Sequence, residues 1–271
     1  MLGPWRLGVM QGRLLPKHQS RYQAHPCGRW RDEFPIAAAL GLDLVEFILD
    51  FEGAEENPLL ADVQSIRAAV AETGVGVKSI CADYFMEAPL HRPDTAADSV
   101  AVLHRLIESA AELKISDIVI PCVDQSRLNG NADEDRFITN LGQAVPKAER
   151  AGINLSLETD LDPDRFARLL ARVSSPRVTV NYDIGNSAAM GFDPDAEWAA
   201  YGTRVSDVHV KDRKRGAGSV ELGTGDADIP RVLGLMREYA FAGPVVMQAY
   251  RDDEGVAIFA RQLDWLRRVI A

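Results

Sequence analysis

NLSLETDLDPDRFARLLARVSSPRVTVNYD, residues 154–183, contains a strand–helix–strand pattern. Its two ends, 154–159 and 177–183, are short runs in which apolar and polar residues alternate, as they do in a β-strand. The segment between them is longer and amphipathic, as expected for a helix. Short strands that alternate with helices are typical of parallel βαβ units. The stretch therefore predicts two neighbouring parallel strands joined by a helix.

The same alternation continues in both directions along the chain. Six further strand-like runs raise the number to eight: residues 6–12, 44–49, 76–82, 117–123, 205–211 and 244–250. Units spaced by roughly 30 residues fit a barrel in which about 250 residues hold eight strands and eight helices. We therefore predict an α/β protein with a single domain, residues 1–271, folded as a (β/α)8 or TIM barrel. A doubly wound open sheet is the alternative, but even spacing favours closure.

Composition and charge restrict the classes of partner. The chain of 271 residues is 46% hydrophobic and 26% charged, as in ordinary soluble globular proteins. A net charge of −10 opposes binding to phosphate backbones, so we expect no nucleic-acid partner. We expect no signal peptide and no membrane span, and the 3 cysteines without a C-x-x-C pair favour reduced thiols in the cytoplasm. A small molecule is the expected ligand.

Polar side chains interrupt the later strands with a period of two. Strands of a parallel barrel are covered on both faces, so polar residues on one face are expected to point into the barrel. Four such residues lie at or near the C-terminal ends of their strands: Glu158, Asp183, His209 and Gln248. Barrel enzymes keep their chemistry at this end, and carboxylate, imidazole and amide donors suit Mn²⁺, Mg²⁺, Co²⁺ or Zn²⁺. The alternative is a buried hydrogen-bond and ion-pair network without a metal.

At these residues the chain resembles the xylose isomerase-like barrel family of sugar isomerases and epimerases, which also includes inosose-type dehydratases. The resemblance covers nearly the whole chain, through LGVMQGRL (7–14), LGLDLVEFILD (40–50), LSLETD (155–160), NYDIGN (181–186), DVHVKDR (207–213) and VVMQAYR (245–251). It implies one divalent metal ion held by Glu158, Asp183, His209 and Gln248. It also implies a carbohydrate substrate and a homo-oligomer, either a dimer or a tetramer.

Two positions depart from the family pattern. Asn186 stands where many epimerases have a histidine, which changes a polar substrate contact. Gln248 replaces a glutamate that is both a metal ligand and an acid/base in epimerases. An amide oxygen can bind a metal, but the amide cannot exchange protons. Because inversion of a carbon normally takes one base on each face, the loss of this carboxylate favours isomerisation or elimination over epimerisation.

The resemblance and the strand positions predict an isomerase or epimerase that acts on a sugar or sugar phosphate through an enediolate. Glu158 is the expected base, with Lys78 and Lys211 as further catalytic groups. The expected substrate-binding residues are Arg13, Gln11, Glu46, Asn186, Asp212 and Arg215. Two alternatives stay open: a metal-dependent lyase or dehydratase on a keto-sugar or inosose, and a non-catalytic sugar-binding barrel.

Two loops carry further hypotheses. The loop after the first strand is rich in basic and ring side chains: Arg13, Lys17, His18, Arg21, Tyr22, His25, Arg29 and Arg31. It is either a lid that binds a substrate phosphate or carboxylate, or a solvated surface or subunit contact. The Gly223–Thr224–Gly225 motif is either a phosphate cradle or, as we favour, a tight turn before a helix capped near Asp228.

Overall fold

Eight parallel strands close into a barrel in the computed structural model, which describes residues 5–271. The eight barrel strands are β1 (Leu7–Met10), β2 (Leu44–Ile48), β3 (Ser79–Cys81), β4 (Asp117–Cys122), β5 (Asn154–Thr159), β6 (Val178–Asp183), β7 (Val205–Val210) and β10 (Val245–Met247). Two short strands between β7 and β10 lie outside the barrel: β8 (Asp212–Arg213) and β9 (Ser219–Val220). The barrel order is β1-β10-β7-β6-β5-β4-β3-β2, and β8 and β9 form a separate antiparallel hairpin. The predicted TIM barrel is confirmed.

Each of the eight predicted runs contains one barrel strand, but the strands are often shorter than the runs. The last run, 244–250, pairs only over Val245–Met247, and the run 76–82 pairs only over Ser79–Cys81. β10 pairs with each of its neighbours, β1 and β7, over only three positions, which limits the paired part of this run. Gln248 therefore lies directly beyond the paired part of β10, at the rim of the barrel.

Helices cover the outside of the barrel and lie between successive strands. They are α1 (Glu33–Ala39), α2 (Pro58–Ala61), α3 (Val63–Thr73), α4 (Tyr84–Glu87), α5 (Ala96–Leu113), α6 (Asn131–Ala151), α7 (Pro163–Arg172), α8 (Ile184–Met190), α9 (Pro194–Tyr201), α10 (Ile229–Glu238) and α11 (Val256–Ile270). The apolar faces of α5 and α6 are buried, for example at Leu103, Leu106 and Phe137. Among residues 5–271, no helix combines the length and the apolar character needed to cross a membrane.

Alternation along the strands determines which side chains enter the barrel. Met10, Ile48, Cys81 and Val246 form a small apolar cluster that is separate from the main core under the helices. Val246 pairs in register with His209, and Gln248 follows Val246 by two positions, so the three belong to the inward series. The polar residues of the later strands thus share the interior with this apolar cluster, towards the C-terminal end.

Candidate active site

Three of the four predicted metal ligands converge at the C-terminal end of the barrel. Glu158, Asp183 and His209, here called the ligand triad, lie on β5, β6 and β7 and offer donor atoms within 4.8 Å of one another. Nδ1 of His209 is 3.5 Å from Oε2 of Glu158 and 4.0 Å from Oδ2 of Asp183. Asp183 and His209 are paired in register, which places them side by side. Two carboxylates and one imidazole fit a divalent cation of the predicted class.

A third carboxylate, that of Glu46, contacts the other ring nitrogen of His209. Nε2 of His209 is 3.0 Å from Oε2 of Glu46, and the other oxygen of Glu46 accepts a hydrogen bond from Oγ of Ser79 at 2.9 Å. With its proton on Nε2, His209 directs the lone pair of Nδ1 towards Glu158 and Asp183. Carboxylates support metal-binding histidines in this way in many proteins. Glu46 is 1% exposed and does not line the cavity above the triad, so the structure places it against His209 rather than at the predicted substrate contact.

Burial and charge set the protonation of the triad. Burial lowers the pKa of His209, but the carboxylates of Glu46 and Glu158 outweigh burial and raise this pKa well above its ordinary value. Burial raises the pKa of Glu158, but the hydrogen bond and charge of His209 and the charge of Lys211 bring it below its ordinary value. In the metal-free protein, these carboxylates therefore favour the protonated form of His209. A cation that binds Nδ1 must displace the proton on it.

Two amides hold the carboxylate of Glu158. Asn186 donates from Nδ2 to Oε1 at 2.6 Å, and Asn181 donates from Nδ2 to Oε2 at 2.8 Å. Asn186 is itself fixed, because Nη1 of Arg213 donates to its side-chain oxygen at 2.8 Å and its backbone N–H donates to Asp183 at 2.8 Å. Asn186, predicted as a substrate contact, thus orients the expected base. Asn181 was not among the site residues predicted from the sequence, although it lies two positions before Asp183 on the same strand.

Lys211 connects the triad to Gln248. Its Nζ lies 2.6 Å from Oδ2 of Asp183 and donates to Oε1 of Gln248 at 2.7 Å. The oxygen of Gln248, the fourth predicted ligand, is therefore engaged by an ammonium group. An amide oxygen has two lone pairs, so this bond does not prevent it from also binding a cation. Lys211 supplies a positive charge where the amide of Gln248 has removed a negative one.

A cavity of about 510 Å³ opens above these residues. We call it the mouth cavity. Five residues for which the sequence predicted a site role line it: Arg13, Glu158, Asn186, Lys211 and Gln248. It is also lined by residues for which the sequence predicted no site role, among them Gln23, Cys81, Asp83 and Arg213. Its volume is within the ~300–1,000 Å³ typical of sites for small molecules. The C-terminal end of the barrel thus offers a cavity large enough for a small sugar, with charged and amide side chains in its wall.

Lys78 is far from the mouth cavity. It precedes β3, and its Nζ donates to the carbonyl oxygen of Lys114 at 2.8 Å. It lines a different cleft, together with the first residues of β4 and β5, Asp117 and Asn154, at the N-terminal end of the barrel. Ser79 and Cys81 take the inward positions of β3. The structure therefore places Lys78 away from the other residues predicted for proton transfer, because β3 starts later than the apolar run.

Gln11 is also an internal residue rather than a substrate contact. It is 0% exposed, and its Oε1 accepts from the backbone N–H of Ile48 at 3.1 Å. The same oxygen lies 2.8 Å from Nδ1 of His25, which belongs to the loop after β1. Gln11 does not line the mouth cavity. It connects that loop to β2, contrary to the prediction.

Asp212 holds a turn together. Its two carboxylate oxygens accept backbone N–H bonds from Gly223 at 2.9 Å, Gly225 at 2.8 Å and Ala227 at 3.2 Å, and it is 0% exposed. A Cβ atom on Gly225 would lie 1.9 Å from Oδ1 of Asp212, so only glycine fits there. The interpretation of the glycine motif as a tight turn agrees with this geometry, and Asp228 caps α10 through the N–H of the residue three positions later. The structure therefore places Asp212 in this turn and outside the cavity lining, rather than at the predicted substrate contact.

Arg215 lies outside the mouth cavity as well. It is exposed, and its guanidinium packs against the bare backbone of Gly191, where a Cβ would be 2.6 Å from Cζ. The β8–β9 hairpin explains the difference, because it directs Arg213 into the mouth cavity and turns the chain away before Arg215. The arginine of this segment that faces the site is thus Arg213.

The loop after β1 covers one side of the mouth cavity with Tyr22 and Gln23. Arg13 is 1% exposed, and its guanidinium donates to the carbonyl of Ala249 at 3.0 Å and to Oε1 of Gln23 at 2.9 Å. The other basic residues are largely paired: Lys17 with Asp253, Arg21 with Asp50, Arg29 with Asp32 and Arg31 with Glu72. Anion binding by this loop remains a prediction, since most of its charge is already compensated.

Comparison with known proteins agrees with this geometry. Residues 34–269 match the family model described as xylose isomerase-like TIM barrel. The L-ribulose-5-phosphate 3-epimerases UlaE of Salmonella paratyphi A and Salmonella typhi are each 29% identical to this chain over 269 residues, covering 92% of this chain and 93% of the relative.

Solved structures share the fold at lower identity. A xylose isomerase domain protein from Planctomyces limnophilus has a TM-score of 0.78 at 18% identity, covering 98% of this chain and 97% of the other. The 3-keto-D-glucoside 4-epimerase YcjR from E. coli has a TM-score of 0.75 at 17% identity, covering 97% and 99%. The family match extends over most of the sequence and agrees with the barrel. This chain therefore belongs to the xylose isomerase-like TIM barrel family.

Proposed function

We propose that this protein is a divalent-metal-dependent epimerase or isomerase of a sugar or sugar phosphate. The observation that carries the proposal is the position of Glu158, which lines the mouth cavity and belongs to the ligand triad. The relatives matched over nearly their full length are sugar phosphate epimerases, which supports the same class of reaction.

The ligand triad would hold the metal, with Gln248 as the proposed fourth ligand. When bound, the ion would stabilise negative charge that develops on the oxygens of the substrate. We propose Mn²⁺, Mg²⁺, Zn²⁺ or Co²⁺. Structures of related barrels contain magnesium in a protein from Mycobacterium smegmatis and zinc in the IOLI protein, which supports this range.

Glu158 would remove a proton from the carbon next to a carbonyl group. Its two amide partners hold it in one orientation, and its lowered pKa keeps it ionised at neutral pH. Lys211 adds a positive charge beside the reacting oxygens, since its Nζ contacts Asp183 and lines the mouth cavity. Charged and dipolar groups fixed in a partly closed cavity are an effective source of rate enhancement.

The test is a screen of the metal-depleted protein with and without each of the four ions. L-ribulose 5-phosphate, D-psicose, D-tagatose and D-fructose serve as probes, with products identified by NMR and mass spectrometry. We expect at least one probe to be converted without a change in mass, only with metal, and about 10²–10⁴-fold more slowly by Glu158→Gln. A loss of water would favour the dehydratase alternative. Metal binding without conversion of any probe would contradict the enzyme proposal.

Three finer properties are proposed on the basis of family resemblance and composition. We propose that the chain self-associates as a dimer or tetramer, that it acts in the cytoplasm and that it does not bind nucleic acid. Size-exclusion chromatography with light scattering tests the first of these.

A further inference from the structure

The amide of Gln248 leaves the site one proton-transfer group short. Inversion at a carbon needs a proton to leave one face and another to arrive at the opposite face, and an amide does neither. Among the described residues that line the mouth cavity, the carboxylates other than Glu158 are Asp83 and Asp124. Asp124 is exposed, whereas Asp83 is largely covered by protein. Asp83 is therefore the stronger candidate.

Asp83 reaches the mouth cavity from a different strand than Glu158. It follows β3, two positions after the inward-facing Cys81, whereas Glu158 lies near the end of β5, and β4 separates these strands in the barrel order. Oδ1 of Asp83 is 3.2 Å from Sγ of Cys81, which donates to it. A substrate in the mouth cavity would thus be within reach of two carboxylates that arise from different strands.

A directional chain of hydrogen bonds links Lys211 to Asp83. Lys211 can only donate, so Gln248 accepts through Oε1 and donates from Nε2 to Oε1 of Gln23 at 2.9 Å. Arg13, which also can only donate, contacts the same oxygen of Gln23 at 2.9 Å. Nε2 of Gln23 therefore donates to Oδ2 of Asp83, at 2.7 Å. Two cations fix the orientation of both amides, so the direction of this chain is not arbitrary.

The same chain explains why an amide suits position 248. A glutamate there would place a carboxylate oxygen against Oε1 of Gln23, so that two acceptors would face each other. If the amide of Gln23 turned over to relieve this contact, its oxygen would then face the carboxylate of Asp83. Gln248, Gln23 and Asp83 thus form a matched set. The family pattern has a carboxylate on the last barrel strand, which is β10 here. This chain has an amide at that position and a carboxylate that follows β3.

We propose that Asp83 is the second proton-transfer residue of the sugar epimerase or isomerase proposed above. The inference rests on that function. Glu158 takes the proton from the carbon beside the carbonyl, and the electron pair of the broken C–H bond forms the enediolate. Protonated Asp83 gives a proton to the opposite face of that carbon, which forms the new C–H bond. Exchange with water then removes the proton from Glu158 and returns one to Asp83, so the hydrogen of the product comes from solvent.

The surroundings of Asp83 are consistent with both protonation states. Burial raises the pKa of Asp83 to about 6, with further increases from the charges of Asp50 and Glu158. The hydrogen bonds from Gln23 and Cys81 oppose this increase, and the guanidinium of Arg13 also interacts with its charge. A carboxyl group that titrates close to neutral pH is well suited to give and accept protons.

The experiment follows hydrogen exchange and product formation separately, in D₂O, by ¹H NMR. L-ribulose 5-phosphate, D-psicose and D-tagatose are incubated with the metal-loaded protein. We expect Asp83→Asn to form the epimer at least 100-fold more slowly while Glu158 still exchanges the hydrogen of the starting sugar for deuterium. From the opposite epimer, Asp83→Asn should lose the exchange as well. Glu158→Gln should lose the exchange from the starting sugar and keep the exchange from the opposite epimer.

Two further variants strengthen the test. Gln248→Glu in the Asp83→Asn background should restore epimer formation at least tenfold, because it returns a carboxylate to the eighth barrel strand. Asp124→Asn, which removes the exposed carboxylate of the same cavity, should cost at least tenfold less than Asp83→Asn. Conversion by Asp83→Asn within threefold of the wild type would overturn the role of Asp83, as would equal loss of exchange from both epimers. A wild type that neither exchanges nor converts any probe would overturn the proposed function itself.

Discussion

Lys211 occupies the position in which a cation would compete most directly with a bound metal. Its side chain is 10% exposed and that of Asp183 is 1% exposed, so water screens the 2.6 Å ion pair only weakly. Two unit charges 4 Å apart interact by about 4 kcal/mol at an effective dielectric constant of 20. Residual screening reduces this repulsion, so we take about 1.5–3 kcal/mol as the cost that Lys211 imposes on a divalent ion. Lys211→Met should therefore bind Mn²⁺ about 10- to 100-fold more tightly.

The variant should also lose stability when no metal is present. Asp183 would keep a buried charge without its partner, and breaking a buried pair costs about 3–5 kcal/mol. Added Mn²⁺ should then raise the melting temperature more in Lys211→Met than in the wild type, because a ligand that binds only the folded state stabilises it. Isothermal titration calorimetry and thermal unfolding measure the two effects. The control is Lys214→Met, which removes a half-exposed lysine paired with Asp226. Equal or weaker Mn²⁺ binding by Lys211→Met would refute the reasoning.

Three further predictions concern the residues around the triad. The carboxylates of Glu46 and Glu158 raise the pKa of His209 in the metal-free protein, so metal binding should release a proton. Below that pKa, the affinity for the metal should therefore rise by up to about tenfold for each unit of increasing pH. A Kd that calorimetry finds to be independent of pH would contradict this. Glu46→Gln should weaken metal binding by about 10- to 100-fold without altering the barrel fold by circular dichroism, whereas an unchanged Kd would rule out its role in orienting His209. Asp212→Ala should lower the free energy of unfolding by about 1–3 kcal/mol in a urea titration, because it leaves buried N–H groups unpaired, while a changed KM at unchanged stability would restore the substrate-binding role.

Strand alternation was sufficient to predict the ligand triad. Glu158, Asp183 and His209 lie near the ends of runs whose polar residues recur with period two, and that period alone identifies the inward face. It failed for Lys78, because the run 76–82 is longer than the paired strand and does not show where pairing starts. The position of a side chain along the barrel axis depends on register with the neighbouring strands, which a single sequence does not specify.

Residues in loops could not be placed by the same reasoning. Gln23 and Asp83 reach the mouth cavity from segments without a periodic pattern, and only the hydrogen bond between them and the contacts with Arg13 and Gln248 fix their positions. Arg215 was predicted in place of Arg213 because the β8–β9 hairpin reverses the chain within a few residues. Tertiary contacts therefore determine the position of this part of the site.

The central claim is that Glu158, Asp183 and His209 share one divalent cation at the C-terminal end of the barrel. A crystal structure with Zn²⁺, with the ion located by anomalous scattering, tests it most directly. We predict one strong peak about 2.0–2.2 Å from a carboxylate oxygen of Glu158, a carboxylate oxygen of Asp183 and Nδ1 of His209. The absence of a peak there at saturating Zn²⁺, or a peak between Glu46, Asp207 and Nε2 of His209 instead, would contradict the account.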